Sequence, residues 1–339
     1  MKKTNLLMLF AAPIVLMACG MGPNSSNSNG GEANSIPTEE TIQEQDITTH
    51  FAKASAAMKN VEAIGVKVTG TAKLTNDMSQ TYSYSDTTGT VTSSSLFEIK
   101  NLNLEGGIKN IKTTDIKAID ASVEATADFT LKQEVEGVEM DSNPNIDKKG
   151  SLSGKAYIDD GYFYVDLDGI RELITAIAPS TTLPTSMKEK IQLDEIEQGE
   201  EAIEINYSEM ITSINNLCSS LNFIKGQNET YSYVFTLDPQ KILQAFGGSD
   251  SSLASTNIEG TSSLYLSFTE AGFTSVGLLV DWTATANVTD SYYTVNNEVK
   301  INADIKANFL YGNDVKVKQV QDKDSYKDNT QLTVATEIA

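Results

Sequence analysis

Few side chains in this sequence could do chemistry on their own account: Cys19 and Cys218, a single histidine at position 50, and the alternating oxygen ligands of the run DSNPNIDKKGSL that begins at Asp141. A thiol or serine nucleophile needs a base beside it, and one histidine supplies little for that role. No G-x-S-x-G elbow occurs, and no phosphate-cradling glycine loop follows a strand. His50 has no second histidine with which to build a zinc site, so it reads as a surface or boundary residue. In the acidic run, Asp141, Asn143 and Asn145 match the first alternate ligands of a calcium loop. Ile146 stands where the sharp turn needs glycine, and Leu152 where the bidentate glutamate belongs, so the run reads as a solvated turn. Cys218 reads as a small buried hydrophobe. The many carboxylates could pair as glycosidase acids, but in so acidic a chain such pairs arise by chance. The expectation is a non-enzymatic protein with no metal and no cofactor.

Cys19 is different because of its setting. Lys2 and Lys3 precede an uncharged apolar run, Leu6 to Ala18, which has the form of an export signal. The run is shorter than the 20 or so residues of a spanning helix, and Pro13 interrupts it. It ends in Leu16-Met17-Ala18-Cys19, which resembles the lipobox of bacterial lipoproteins, although Met17 stands where that motif usually has a smaller residue. That resemblance implies that residues 1–18 are a cleaved signal, that Cys19 is acylated, and that the protein sits at the cell membrane on its extracytoplasmic face. Residues 19–40 are rich in Gly, Ser and Asn and form the anchor and a tether. A coil of about 20 residues spans roughly 25 Å on average.

The charge excludes some partners. The formal net charge is −21, with 25 basic against 46 acidic residues. Loss of residues 1–18 would remove two lysines and no acid. Nucleic acid demands a basic footprint, and anionic lipid attracts basic segments, so attachment to the membrane falls to the acyl chains on Cys19. With 40% hydrophobic residues, 22 glycines and 7 prolines, the composition is that of a globular body. Residues 41–339 can form one β-rich domain with a large core.

The elements follow from periodicity. Thr41 and Glu44 fit a capping box ahead of Ile47, Phe51, Ala54, Met58 and Val61, the stripe of an amphipathic helix. From Ile64 the period drops to two, through Val66, Val68, Ala72 and Leu74. Residues 76–95, mostly Ser, Thr, Asp and Tyr, read as a long hairpin loop or polar extension. Strands are predicted at 96–111 and from Ile119 to Leu131. A hairpin joins Leu152–Ile158 to Tyr162–Leu167 through Asp-Asp-Gly, with Gly161 supplying a positive φ. Asp168 is expected to cap a helix stopping at Pro179. A helix is predicted from Ser208 through Met210, Ile214, Leu217, Leu221 and Ile224, then a strand at Tyr231–Leu237. Asp238 and Pro239 start a short helix. Residues 247–261 read as a loop. Two very long strands run from Val276 to Val288 and from Val295 to Phe309, and a last strand is expected at 331–338.

Several strands carry alanine at inward positions: Ala121, Ala125 and Ala127; Ala284 and Ala286, beside Trp282; Ala303 and Ala307. Sheet faces favour larger side chains, so two readings stay open. The alanines can line a cavity for an apolar ligand, or they can give closely packed helices room. The helix–strand opening FAKASAAMKNVEAIGVKVTGTAKL and the run GKAYIDDGYFYVDLDGIRELI, behind a signal, anchor and tether, look like the lipoproteins with the LolA/LppX-like half-barrel. That resemblance implies an α+β fold: a large curved antiparallel sheet with a few helices on its concave face, and lipid acyl chains held between them. The alternative is a surface lipoprotein with a solid core that binds another envelope protein.

Overall fold

In the computed structural model, residues 36–84, 87–113, 115–137, 145–178, 181–193, 207–247 and 256–328 are described. The alternating runs form one open sheet of thirteen strands: β1 (Glu40–Thr41), β2 (Ala63–Tyr84), β3 (Thr87–Lys109), β4 (Asp120–Glu136), β5 (Ile146–Asp159), β6 (Tyr162–Asp166), β7 (Lys188–Gln192), β8 (Cys218–Lys225), β9 (Tyr231–Leu237), β10 (Thr256–Thr269), β11 (Gly272–Thr289), β12 (Tyr293–Tyr311) and β13 (Lys327–Asp328). Among the described residues, four short α-helices accompany it: α1 (Glu44–Met58), α2 (Arg171–Ile177), α3 (Tyr207–Asn215) and α4 (Pro239–Gly247). The spatial order is β1-β8-β9-β10-β11-β12-β2-β3-β4-β5-β6-β7-β13. Every neighbouring pair is antiparallel except β13 with β7, which makes the sheet mixed rather than wholly antiparallel.

The chain's first and last long strands, β2 and β12, pair along nearly their full length, from Tyr293 opposite Tyr82 to Tyr311 opposite Ile64. A strand of 22 residues such as β2 is about 70 Å long. One end of this blade holds Ala63, the β10–β11 hairpin and β1. The other holds the β2–β3 and β11–β12 connections.

The end that holds Ala63 is packed on both faces. On one, α1 buries Ile47, Phe51 and Ala54 against Tyr231, Tyr233, Phe235, Leu266, Phe268 and Phe273. The Phe51 ring lies edge-on to Tyr233 and Phe268, at centroid distances of 5.2 and 5.3 Å. On the other, the segment after β12 crosses the sheet as a strap. Val315 is 1% exposed beside Gly65 and Gly107. Further on, Val320 and Tyr326 pack with Tyr157 and Tyr164, and β13 then adds to the edge at β7.

Several expected elements differ. Thr41 does not cap α1: it pairs with Ile224 in β1, and the N-cap is Gln43, without a side-chain bond. Of the two readings of residues 76–95, the polar extension holds: 76–84 and 87–95 are the polar halves of β2 and β3, with β2 laddered to both β12 and β3, and β3 to β2 and, from Thr92, to β4. Helix α3 ends at Asn215, and Leu221 and Ile224 lie on β8, where the edge of β9 offers a ladder. Asp168 caps no helix: its carboxylate accepts hydrogen bonds from the Met187 amide and from Arg171, and α2 starts at Arg171 behind an uncapped Ile170. Strand β10 begins inside the expected 247–261 loop. The Asp-Asp-Gly hairpin is as expected, with Asp160 and Gly161 at φ of 50° and 78°, and Asp238 caps α4 through the amides of Gln240 and Lys241. Residues 1–18, Cys19, most of the tether, Asp141, Asn143 and the strand expected at 331–338 lie outside the described residues.

Candidate functional site

Residues opposed across an antiparallel ladder share a face, so the register sorts every side chain to one side of the blade or the other. On the α1 side, β11 presents Val276, Leu278, Val280, Trp282, Ala284, Ala286 and Val288. Opposite them β12 presents Ala307, Ile305, Ala303, Ile301, Val299, Asn297 and Val295. The sorting continues through Val68, Ala72, Leu74 and Asn76 of β2, Leu104, Ile99, Phe97 and Ser95 of β3, and Ala125, Phe129, Leu131 and Gln133 of β4. With the even-numbered residues of β10 from Thr256 to Phe268, this face carries no charged residue on any of the strands β10, β11, β12, β2, β3 and β4. The opposite face takes the charges: Lys67, Lys73 and Asp77 on β2, Glu98, Lys100 and Glu105 on β3, Asp128 and Lys132 on β4, and Glu298, Lys300, Asp304 and Lys306 on β12. In a chain with 21% charged residues, such sorting keeps one face dry.

The eight residues expected at a cavity all lie on this face, in two groups. Trp282, Ala284, Ala286, Ala303 and Ala307 form a strip on the adjacent strands β11 and β12, in which Ala303 opposes Val280 and Ala307 opposes Val276. Ala121, Ala125 and Ala127 lie on β4, with β2 and β3 in between. Ala121, Ala127, Ala303 and Ala307 are buried, whereas Ala125, Trp282, Ala284 and Ala286 are half-buried. Helix α1 packs over β8 to β11, and α2 over β5. Beyond Ala72 on β2 and Ala303 on β12, toward the far end of the blade, the side chains of these two strands are half-buried or exposed. Leu74 and Ile301 are half-buried, as are Phe97, Leu131 and Trp282 on β3, β4 and β11, which leaves a broad apolar surface partly open.

Three polar atoms interrupt that surface. Trp282 Nε1, Asn76 Oδ1 and Asn297 Oδ1 are closed off from solvent and have no hydrogen-bond partner. Asn76 opposes Val299, and Asn297 opposes Ala286. Neither asparagine was singled out in the sequence, because Asn76 fell in the segment read as a loop or polar extension. The signal was present in both cases: an amide at an alternate position that the strand period assigns to the apolar face.

Two open grooves lie elsewhere. One of about 570 Å³ runs over the charged face near the far end, among Asp77, Ser79, Ser94, Glu134, Thr285 and Glu298. Another of about 600 Å³ lies beside the strap, among Lys155, Tyr157, Asp166, Lys188 and Gln321. There Glu124 accepts hydrogen bonds from Lys318 at 2.5 Å and from Tyr157 at 2.7 Å. Partial burial pushes the Glu124 carboxyl up, and these two donors pull it below its ordinary value. Burial and the bond to Glu124 raise the Tyr157 phenol. His50 stacks on Tyr231 at 3.9 Å and donates to Glu270, which also pairs with Lys53 at 2.6 Å, so it pins α1 to the β10–β11 turn. Cys218 is buried, its thiol donating to the Ile214 carbonyl and its pKa raised by that burial.

Among the described residues no group of three or more His, Cys, Asp or Glu side chains is placed to hold a metal ion, and no helix is long and apolar enough to cross a membrane. Compared with known proteins, the chain matches no family model and no curated protein.

Proposed function

We propose that this chain is a non-enzymatic lipoprotein, anchored through acyl chains on Cys19 at the extracytoplasmic face of a cell membrane, that holds the hydrocarbon part of a lipid-like ligand against the uncharged face of its sheet. In this reading the sheet curves as a half-barrel with the helices on its concave side. The observation that carries it is the absence of charge from one face of six consecutive strands, β10 to β4, together with the continuation of apolar side chains past the part that α1 covers. An apolar patch that extensive on a water-soluble body marks a binding surface. Small side chains along β11 and β12 would let an acyl chain lie close to the backbone, and each methylene removed from water contributes about 0.8 kcal/mol. A second reading, a solid-cored module that binds another envelope protein, is favoured by the tight burial of Ala121, 0% exposed, and Ala307, 4% exposed.

Trp282 is the only tryptophan and sits on the proposed surface, so it reports directly on occupancy. Acyl chains brominated near their middle should quench its fluorescence saturably, and native mass spectrometry of the purified protein should find co-purified lipid. No quenching and no retained lipid would reject the carrier reading in favour of the solid-cored one. Cys19→Ser should move the protein from the membrane to the soluble fraction, and retention in the membrane fraction would reject the anchor.

A further inference from the structure

Most of the uncharged face is hydrocarbon, yet Asn76, Asn297 and Trp282 each hold a polar atom there that is shut off from water and unpaired. A buried polar group without a partner is costly, and native structures carry few of them. Two of the three are neighbours in the ladder, and the third lies one strand further across and toward Ala303. Asn76 and Asn297 stand on adjacent strands one same-face step apart, since Asn76 opposes Val299. Such diagonal neighbours are about 7–8 Å apart. Trp282 stands across β12, opposite Ile301, which is one same-face step from Val299.

We propose that Asn76, Asn297 and Trp282 form a head-group site for a lipid whose polar end is uncharged and hydroxyl-bearing, of the acylglycerol class. This rests on the preceding reading that the face takes an acyl chain. The indole N–H can only donate, whereas the two unpaired amide oxygens accept. A hydroxyl satisfies both kinds, because it donates and accepts. A carboxylate or phosphate offers acceptors alone and would bring a charge onto a face that has no cation from β10 to β4 with which to pair it, an arrangement that burial penalises heavily. The remaining polar side chains around the site agree in character: Ser93, Ser95, Gln80 and Gln133 share this face and are all neutral. The hydrocarbon tail would run from this site toward Ala303 and Ala307, where the side chains are smallest and the anchored half of the blade closes over.

The test is a pair of fluorescence titrations on the intact protein at pH 8, with a monoacylglycerol and with the fatty acid of the same chain length. The acylglycerol should bind at least tenfold more tightly. In an Asn76→Leu/Asn297→Leu variant, which keeps Trp282, the two ligands should bind within about twofold of each other. Circular dichroism would check the variant's fold, and Asn76→Ser/Asn297→Ser, which retains neutral hydrogen bonding, should keep the preference. Equal affinities in the unaltered protein, or a preference that survives the leucine variant, would overturn the head-group site while leaving the acyl-chain reading standing. Failure of both ligands to bind would overturn both. The comparison of the two ligands needs no variant, so poor folding of the leucine protein would not shield the proposal.

Discussion

The strap that crosses the charged face depends on two glycines, and Gly107→Ala tests that dependence. A Cβ at position 107 would lie 2.8 Å from the Lys316 carbonyl oxygen and 2.8 Å from Val315 Cγ1. Both contacts are well inside ordinary van der Waals range, and one of them is with backbone, so the strap itself must move. Overpacking of this kind costs about 1–3 kcal/mol. The upper bound is set by release of the strap: Val315 would lose its burial, worth about 1.5–3 kcal/mol, and the Lys318 amide its bond to Ser122 Oγ at 2.9 Å, worth about 1 kcal/mol. We expect a loss near 2 kcal/mol, equivalent to a fall of roughly 3 °C in Tm for a chain of this size. Two other glycines calibrate the effect. At Gly65 the nearest atom to an added Cβ is the Gly106 oxygen at 3.1 Å, and at Gly154 it is Leu167 Cδ2 at 3.7 Å. Gly65→Ala should therefore fall between, and Gly154→Ala should leave Tm unchanged or raise it slightly through reduced freedom of the unfolded chain. Thermal unfolding ranks the three, and amide exchange across residues 315–326 locates the damage. Identical Tm values for Gly107→Ala and Gly154→Ala would refute the steric reasoning, as would a lowered Tm without faster exchange in the strap.

Two further perturbations probe the packing of the same half of the blade. Phe51→Ala should destabilise by about 3–5 kcal/mol, because the ring fills the space between Tyr233, Phe268 and Phe273; chemical denaturation measures it, and a loss below 1 kcal/mol would mean that α1 is not part of the core. Glu124 has a carboxyl held below its ordinary value, so its contribution is complete above the unfolded pKa and disappears as pH falls through the lower folded value. Protection of residues 315–326 should accordingly weaken below about pH 4. In Glu124→Gln that acid-dependent step should be absent, and exchange with the same pH profile as the parent protein would exclude this residue as its origin.

Strands that bury one face announce themselves by alternation, which is why β11 and β12 were legible from Val276 to Phe309, as was the turn at Asp160 and Gly161. The polar halves of β2 and β3 were not. Threonine, serine and tyrosine suit strands as well as loops, and what makes residues 76–84 a strand is a ladder to β12, which lies at the other end of the chain. The same long-range term decides β8: Leu217, Leu221 and Ile224 have helical spacing, but the edge of β9 captures residues 218–225, with Phe223 edge-on to Tyr233 at 5.8 Å. The alanines of the candidate site were visible as an anomaly of size. The lack of charge around them was not, because it becomes evident only when the register sets β4 beside β3 and β12 beside β2. A sequence window shows one strand's alternation at a time, whereas the dryness of a face is a property of six strands together.

On the proposed reading, that register would also set where a ligand sits relative to the anchor. Glu40 pairs with Lys225 in β1, at the end of the blade where β2 begins, so on the proposed reading that end would face the anchor at Cys19. Asn76 stands about 13 residues along β2 from Ala63, roughly 40 Å away, which exceeds the mean span of roughly 25 Å for a tether of this length. If the blade stood upright on its tether, the head-group site would be held clear of the anchoring bilayer. If it lay flat with the uncharged face down, Trp282, Ile301 and Leu74 could meet the membrane directly. The acidic residues of the opposite face, Asp77, Glu298 and Asp304 among them, would then point to solvent and away from anionic lipid. On the proposed reading, the sorting of charge between the two faces would set which side approaches a bilayer, and an acyl chain entering from it would meet the half-buried strip on β11 and β12 before the alanines buried deeper along it.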